Sequence, residues 1–169
     1  MFTNNIIYVL VVIIFILYYY PYSKIFGKNI WYKEKKVITF ELDGKETSQL
    51  LIDIYSLSHI SHGILFYFLF NKLGYNDKTN LYLTIILEFI WEIFENTPFI
   101  INKYRKNSAY KNYKGDSIIN IIGDLIFTII GYYLTCKYPK VAVFYLITSE
   151  IILSKYNASL IDTSIGSLL

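Results

Sequence analysis

Apolar residues along this chain gather in five blocks separated by polar, lysine-rich segments. The first block, 6–20, is unbroken apolar and aromatic. It stops at Pro21 beside a tyrosine cluster (Tyr18, Tyr19, Tyr20, Tyr22) of the kind that sits at a membrane interface. The others run over 54–73, 81–95, 117–136 and 141–153. A bilayer-spanning helix needs about 20 apolar residues, and several blocks are shorter. The pattern therefore predicts an all-α protein, a polytopic membrane helical bundle of about five transmembrane helices forming one integral membrane domain over 1–169. Four full spans with one shallow or re-entrant segment is the alternative. The leading MFTNN has no lysine or arginine, and no small-residue cleavage site follows the first block, which favours an uncleaved anchor over a signal peptide. Between the first two blocks, KVITFELDGKE (36–46) alternates and closes on Asp43-Gly44, the signature of a small β-hairpin at the membrane surface. A disordered linker is the competing reading.

Composition reinforces the membrane assignment, with 54% hydrophobic, 19% aromatic and only 17% charged residues. If all five blocks cross, Lys24, Lys28, Lys33, Lys35, Lys36 and Lys45 share a side with Lys103, Arg105, Lys106, Lys111, Lys114 and Lys155. The other side keeps Lys72, Lys78, Lys137 and Lys140. The positive-inside rule then predicts N-terminus out and C-terminus in. The net charge of +3 is spread over loops without a patterned patch, so no nucleic acid partner is expected. The lone cysteine, Cys136, excludes an internal disulfide and reads as a packing residue.

Ionisable residues inside such helices cost a few kcal/mol each, which makes them functional candidates. Glu88, Glu92 and Glu95 lie on one face of the third block. Glu95 falls where Asn96, Thr97 and Pro98 stop the helix, whereas Glu92, beside Trp91, needs another explanation. His59 and His62, three residues apart, share a face with Ser58 and Ser61 close by, and imidazoles at this spacing can bind one metal. In the fourth block Asp116, Asn120 and Asp124 follow at four-residue steps, beside the small residues Gly123 and Gly131. Asp116 alone could be an N-cap; Asp124 lies more than two turns deeper. The fifth block adds Glu150.

The segments that carry these residues also carry a resemblance. SQLLIDIYSLSHISHGILFYFLF, WEIFENTPFIINKYR and YKGDSIINIIGDLIFTIIGYYL resemble, in order and spacing, the signature segments of an uncharacterised bacterial inner-membrane family catalogued as a domain of unknown function. The similarity continues through EIILSKYNASL, from about 46 to 160. More loosely, the acidic third helix and Asp-x-x-x-Asn-x-x-Gly in the fourth are similar to the VanZ-like membrane proteins, a group associated with glycopeptide resistance. The resemblance implies a bacterial inner-membrane location and marks Ser58, His59, His62, Glu92, Glu95, Asn96, Arg105, Asp116, Ser117, Asn120 and Asp124 as the matching polar positions. Where that family tends to have a histidine after SQ, this chain has Leu50.

Carboxylates and imidazoles on bundle helices are a standard way to hold a divalent metal. On that reading His59, His62, Glu92, Asp116 and Asp124 are the candidate ligands. Glu92, Asp124, Asn120 and Arg105 are the candidate catalytic residues, with Arg105 gripping an anionic headgroup. The expected partners are the lipid bilayer and a lipid or lipid-linked substrate. A proton or ion relay and a non-catalytic scaffold whose polar core fixes helix register use the same residues.

Overall fold

The computed structural model describes residues 36–106 and 110–161, so the expected helix over 6–20 lies outside the described residues. Within them the chain is all-helical: α1 (Ser56–Lys72), α2 (Asp77–Glu95), α3 (Pro98–Tyr104), α4 (Ile118–Lys137) and α5 (Pro139–Ser154). The four longer helices overlie the remaining apolar blocks, and the short α3 is an addition that block reading does not find. Among the described residues, α4 is the helix long and apolar enough to cross a membrane by length and composition. The expected number of spanning helices thus exceeds what length and hydropathy support, since α1 and α5 have 17 and 16 residues.

Local chemistry sets the ends. α1 closes in a Schellman motif: Gly74 takes φ +84°, Tyr75 N–H donates to Phe70 O, and Gly74 N–H donates to Asn71 O. The rings of Phe70 and Tyr75 meet across this turn. Asn76 then caps α2 by accepting from Thr79 N–H, which starts the helix at Asp77, ahead of the apolar block. Thr97 caps α3 with Pro98 in its first turn. The cap of α4 is Ser117, not Asp116.

The expected hairpin over 36–46 does not form. The run pairs instead with a later segment through a lone parallel bridge, Ile38 to Ile52, in which Thr39 N–H donates to Ile52 O and Ile52 N–H to Val37 O. A two-residue type I′ turn would need positive φ at Gly44, and Gly44 is not among the positive-φ residues. Asp43 is occupied elsewhere, accepting from the Asn112 backbone and side-chain N–H groups.

α1 and α4 form the central pair, with α2 and α5 packed against both. Glycines allow the pair its closeness: a Cβ on Gly63 would lie 1.9 Å from Thr128 O of α4, and one on Gly131 would lie 2.0 Å from Ile60 O of α1. Thr128 Oγ1 also donates to His59 O across this seam. At the N-terminal end of α4, Gly123 makes room for Leu51 O, so the 48–53 segment lies directly on that helix.

The faces are sorted by polarity. Asn80, Thr84, Glu88 and Glu92 of α2 are buried, as are Asn120, Asp124, Thr128 and Thr135 of α4. Outward, α4 presents Ile122, Ile126, Ile130 and Tyr133, and α5 presents Val143, Phe144, Ile147 and Ile151. The segments before α1, between α2 and α4, and after α5 gather at one end, joined by Asn112–Asp43, by Gln49 Nε2–H donating to Gly115 O, and by the Tyr110 hydroxyl donating to Asn157 O. Lys36, Lys45, Lys103, Arg105, Lys106, Lys111, Lys114 and Lys155 belong to this end.

Candidate metal centre

α2 stacks Asn80, Thr84, Glu88 and Glu92 at four-residue intervals, which puts them on one helical face turned toward α1 and α4. Glu88 is fully buried and receives both histidines: His59 Nδ1 donates to its Oε1 at 2.5 Å, and His62 Nδ1 donates to its Oε2 at 2.9 Å. A carboxylate only accepts, so the proton sits on Nδ1 of each ring. The opposite nitrogen of His59, Nε2, faces Asp124 Oδ1 at 3.6 Å. His62 is fixed further by stacking on Phe66 and by the edge of Trp91.

Glu92 differs from Glu88. It is 1% exposed, and neither of its carboxylate oxygens has a hydrogen-bond partner; Asp124 Oδ1 is similarly buried and unpartnered. Glu92 Oε1 lies 3.6 Å from His59 Nδ1, beyond hydrogen-bond range. Buried polar atoms are nearly always satisfied, so orphans of this kind call for an ion, a water or a proton.

Three overlapping groups each bring their ligand atoms within 4.8 Å of one another: His59, His62 and Glu88; His59, Glu92 and Asp124; and Glu92, Glu95 and Asp116. Two ligands on one ion, each bonded at about 2.0–2.4 Å, cannot be further apart than about 4.8 Å. The candidate ligands therefore do not converge on one point. His59, Glu92 and Asp124 share one, His62 stands a step away behind Glu88, and Asp116 meets Glu92 beside Glu95. Glu95, which the sequence places at a helix end, is half-buried and belongs to this cluster.

At the loop end, Asn96 and Asp116 clasp each other. Asn96 Nδ2–H donates to Asp116 Oδ2 at 2.5 Å, and the Asp116 backbone N–H donates to Asn96 Oδ1 at 2.7 Å. The Tyr113 hydroxyl also donates to Asp116 Oδ2, and burial with the neighbouring Asp116 charge pushes that hydroxyl well above its ordinary pKa, keeping it a donor. Asn96→Ala removes both halves of the clasp and leaves a buried carboxylate short of a donor. The expected loss is about 2–4 kcal/mol, read as a lower denaturation midpoint in detergent; an unchanged midpoint would show that the clasp contributes nothing.

The remaining candidates have other partners. Asn120 Nδ2–H donates to Leu50 O at 2.9 Å, so this amide holds the 48–53 segment. Arg105 is exposed and its Nε–H donates to Tyr113 O, which places it outside the cluster. Two residues outrank their sequence signal. Glu88 links both histidines, and Asp53 accepts from Ser48, Tyr55 and Ser56 N–H groups at the entry to α1. Burial pushes the Asp53 carboxyl above its ordinary range, against the pull of the Ser48 N–H. Only the i, i+4 step from Glu88 to Glu92 hinted at the first, and nothing beyond an acidic loop residue at the second.

The cluster opens at the loop end into a small pocket walled by Tyr55, Trp91, Tyr104 and Tyr110 above His59, Asp116 and Asp124. Fold and site together define a helical bundle with a buried histidine–carboxylate core open at one end. The chain belongs to the family described as "Protein of unknown function (DUF2585)", whose profile matches residues 25–160. It is similar to a UPF0314 protein of Brucella anthropi, 42% identical over 96 residues that cover 56% of this chain and 49% of that one. UPF0314 proteins of Rhizobium meliloti (40% over 97 residues, 56% and 49%) and Novosphingobium aromaticivorans (34% over 105 residues, 58% and 53%) are also similar. The chain spans about half the length of these relatives. No solved structure matches it significantly.

Proposed function

We propose that this is a multi-pass integral membrane protein of VanZ-like arrangement, in which His59, Glu92 and Asp124 hold a divalent cation that acts on a lipid or lipid-linked substrate. The observation that carries the reading is the orphaned carboxylate of Glu92, buried with Asp124 Oδ1 beside His59. His59 is dressed as a metal ligand, with Nδ1–H anchored on the Glu88 carboxylate and Nε2 turned to Asp124. A bound cation polarises a phosphoryl or acyl oxygen or activates water.

The membrane supports the other half of the reading. Polar stripes face inward and large apolar side chains outward, Phe144 at 69% exposure among them, which is the reverse of a water-soluble bundle. α1, with 17 residues, rises about 25 Å, and local bilayer thinning or snorkelling absorbs the difference from a hydrocarbon core of about 30 Å. The basic loop end is then cytoplasmic in a bacterial inner membrane, with the C-terminus on the same side, and the pocket faces anionic headgroups from there.

Protein purified gently in detergent is expected to retain a divalent metal by elemental analysis, and the His59→Asn, Asp124→Asn double variant is expected to lose it. Metal-free wild-type protein that also fails to bind added Mn²⁺ or Zn²⁺ would sink the metal. The line His62, Glu88, His59, Asp124, hydrogen-bonded at 2.9 and 2.5 Å and then spaced by 3.6 Å, favours a proton relay as the second reading. Absence of pH-dependent flux in proteoliposomes would remove it.

A further inference from the structure

The geometry points to a second cation site beside the first, formed by Glu92, Glu95 and Asp116 and bridged through Glu92, so that the pair of ions takes a phosphoryl group as its ligand. This inference rests on the His59–Glu92–Asp124 reading and extends it. Both oxygens of Glu92 lack a partner, so both are open to ions. Glu92 also belongs to two ligand groups at once, with His59 and Asp124 on one side and Glu95 and Asp116 on the other. A carboxylate that bridges two ions uses both oxygens, which accords with its isolation from every protein donor.

The two sites differ in chemistry. The first offers an imidazole and two carboxylates, whereas the second offers oxygen alone, which suits a hard cation such as Mg²⁺ or Mn²⁺. Asp116 is held for this task by Asn96 and Tyr113, both on its Oδ2. Glu95 is half-buried and lines the pocket with Asp116, so the second ion would sit on the entry side, in reach of a ligand from the loop end.

Charge selects that ligand. Glu88, Glu92, Glu95, Asp116 and Asp124 crowd two imidazoles, and a single dication leaves the cluster strongly anionic. Two dications offset most of that charge, which favours the approach of a phosphoryl group. Paired ions are suited to clamping phosphoryl oxygens, and the basic residues of the loop end, Lys106, Lys111 and Lys114 among them, steer an anion to the mouth.

The test is Mn²⁺ binding to the full-length protein in detergent, followed by calorimetry and electron paramagnetic resonance. The expected result is two Mn²⁺ per chain with an exchange-coupled spectrum, and inorganic phosphate that binds only after Mn²⁺ loading. Glu95→Gln is expected to leave one ion, abolish the coupling and weaken phosphate by about tenfold or more. One uncoupled Mn²⁺ in the wild type overturns the second site while the first reading stands; no Mn²⁺ at all overturns both. Two coupled ions retained in Glu95→Gln overturn the assignment to Glu95. Should that variant fail to fold, the wild-type stoichiometry and coupling decide alone. Phosphatidic acid in mixed micelles supplies the second arm: displacement of phosphate marks a lipid headgroup, and no displacement marks a soluble phosphate compound. Failure of both to bind the loaded protein overturns the phosphoryl ligand.

Discussion

Gly131→Ala is expected to lower the melting temperature of the detergent-solubilised protein by about 10 °C or to prevent folding outright, and Gly63→Ala to do the same. Helix propensity argues the other way, because alanine replaces glycine in a helix interior with a gain of about 1 kcal/mol. Packing decides the sign. The new methyl groups would sit 2.0 Å from Ile60 O and 1.9 Å from Thr128 O, and backbone carbonyls inside helices cannot rotate away as a side chain would. α1 and α4 must separate, at about 3 kcal/mol or more, which for a chain of this size corresponds to about 2–4 °C per kcal/mol. Separation also carries His59 away from Asp124, since the Thr128 Oγ1–His59 O bond crosses the same seam. The double variant should cost less than the sum of the singles, because one separation relieves both clashes. A melting temperature equal to or above wild type in both variants would contradict this close contact.

The sequence foretold the helices better than it foretold their companions. α4 was legible because a long apolar run carries Asn120 and Asp124 at four-residue steps, and its expected bounds of 117–136 fall within one residue of the helix. α3 was not, since seven residues give too little periodicity to separate a helix from a loop. The alternation in 36–46 suggested a hairpin because alternation records which residues want a partner strand without recording which strand, and Ile52 is the partner taken. The site shows the same limit. Spacing placed Glu88, Glu92 and Glu95 on one face, but which of them meets a histidine depends on how α1 is set against α2. That register assigns Glu88 to both rings and leaves Glu92 without a donor. Arg105 read as a headgroup clamp on charge alone, and its Nε–H donates to the Tyr113 carbonyl.

Glu88→Gln and Glu92→Gln, nearly isosteric changes one turn apart on α2, are expected to move stability in opposite directions when divalent ions are chelated. Glu88 accepts from two Nδ1–H groups, and a glutamine can accept from only one while its amide N–H₂ confronts the other. One ring must change tautomer or lose its partner, and breaking a buried charge-assisted network costs about 3–5 kcal/mol. Glu92 has no such network to lose. Removing its unpartnered carboxylate relieves a desolvation penalty, so the chelated Glu92→Gln protein should be more stable than wild type, by about 1–3 kcal/mol. Added Mn²⁺ should invert that order. A ligand present at about 1,000 times its Kd stabilises the wild type by about 4.1 kcal/mol, which exceeds that difference, while Glu92→Gln, lacking the shared ligand, should gain little. The comparison separates a carboxylate kept for an ion from one kept for the fold, because a purely structural Glu92 predicts loss of stability in chelator and no inversion with metal. Melting curves of the three proteins with and without Mn²⁺ decide between them, and the inversion requires that Glu92 be costly to the empty protein and indispensable to the loaded one.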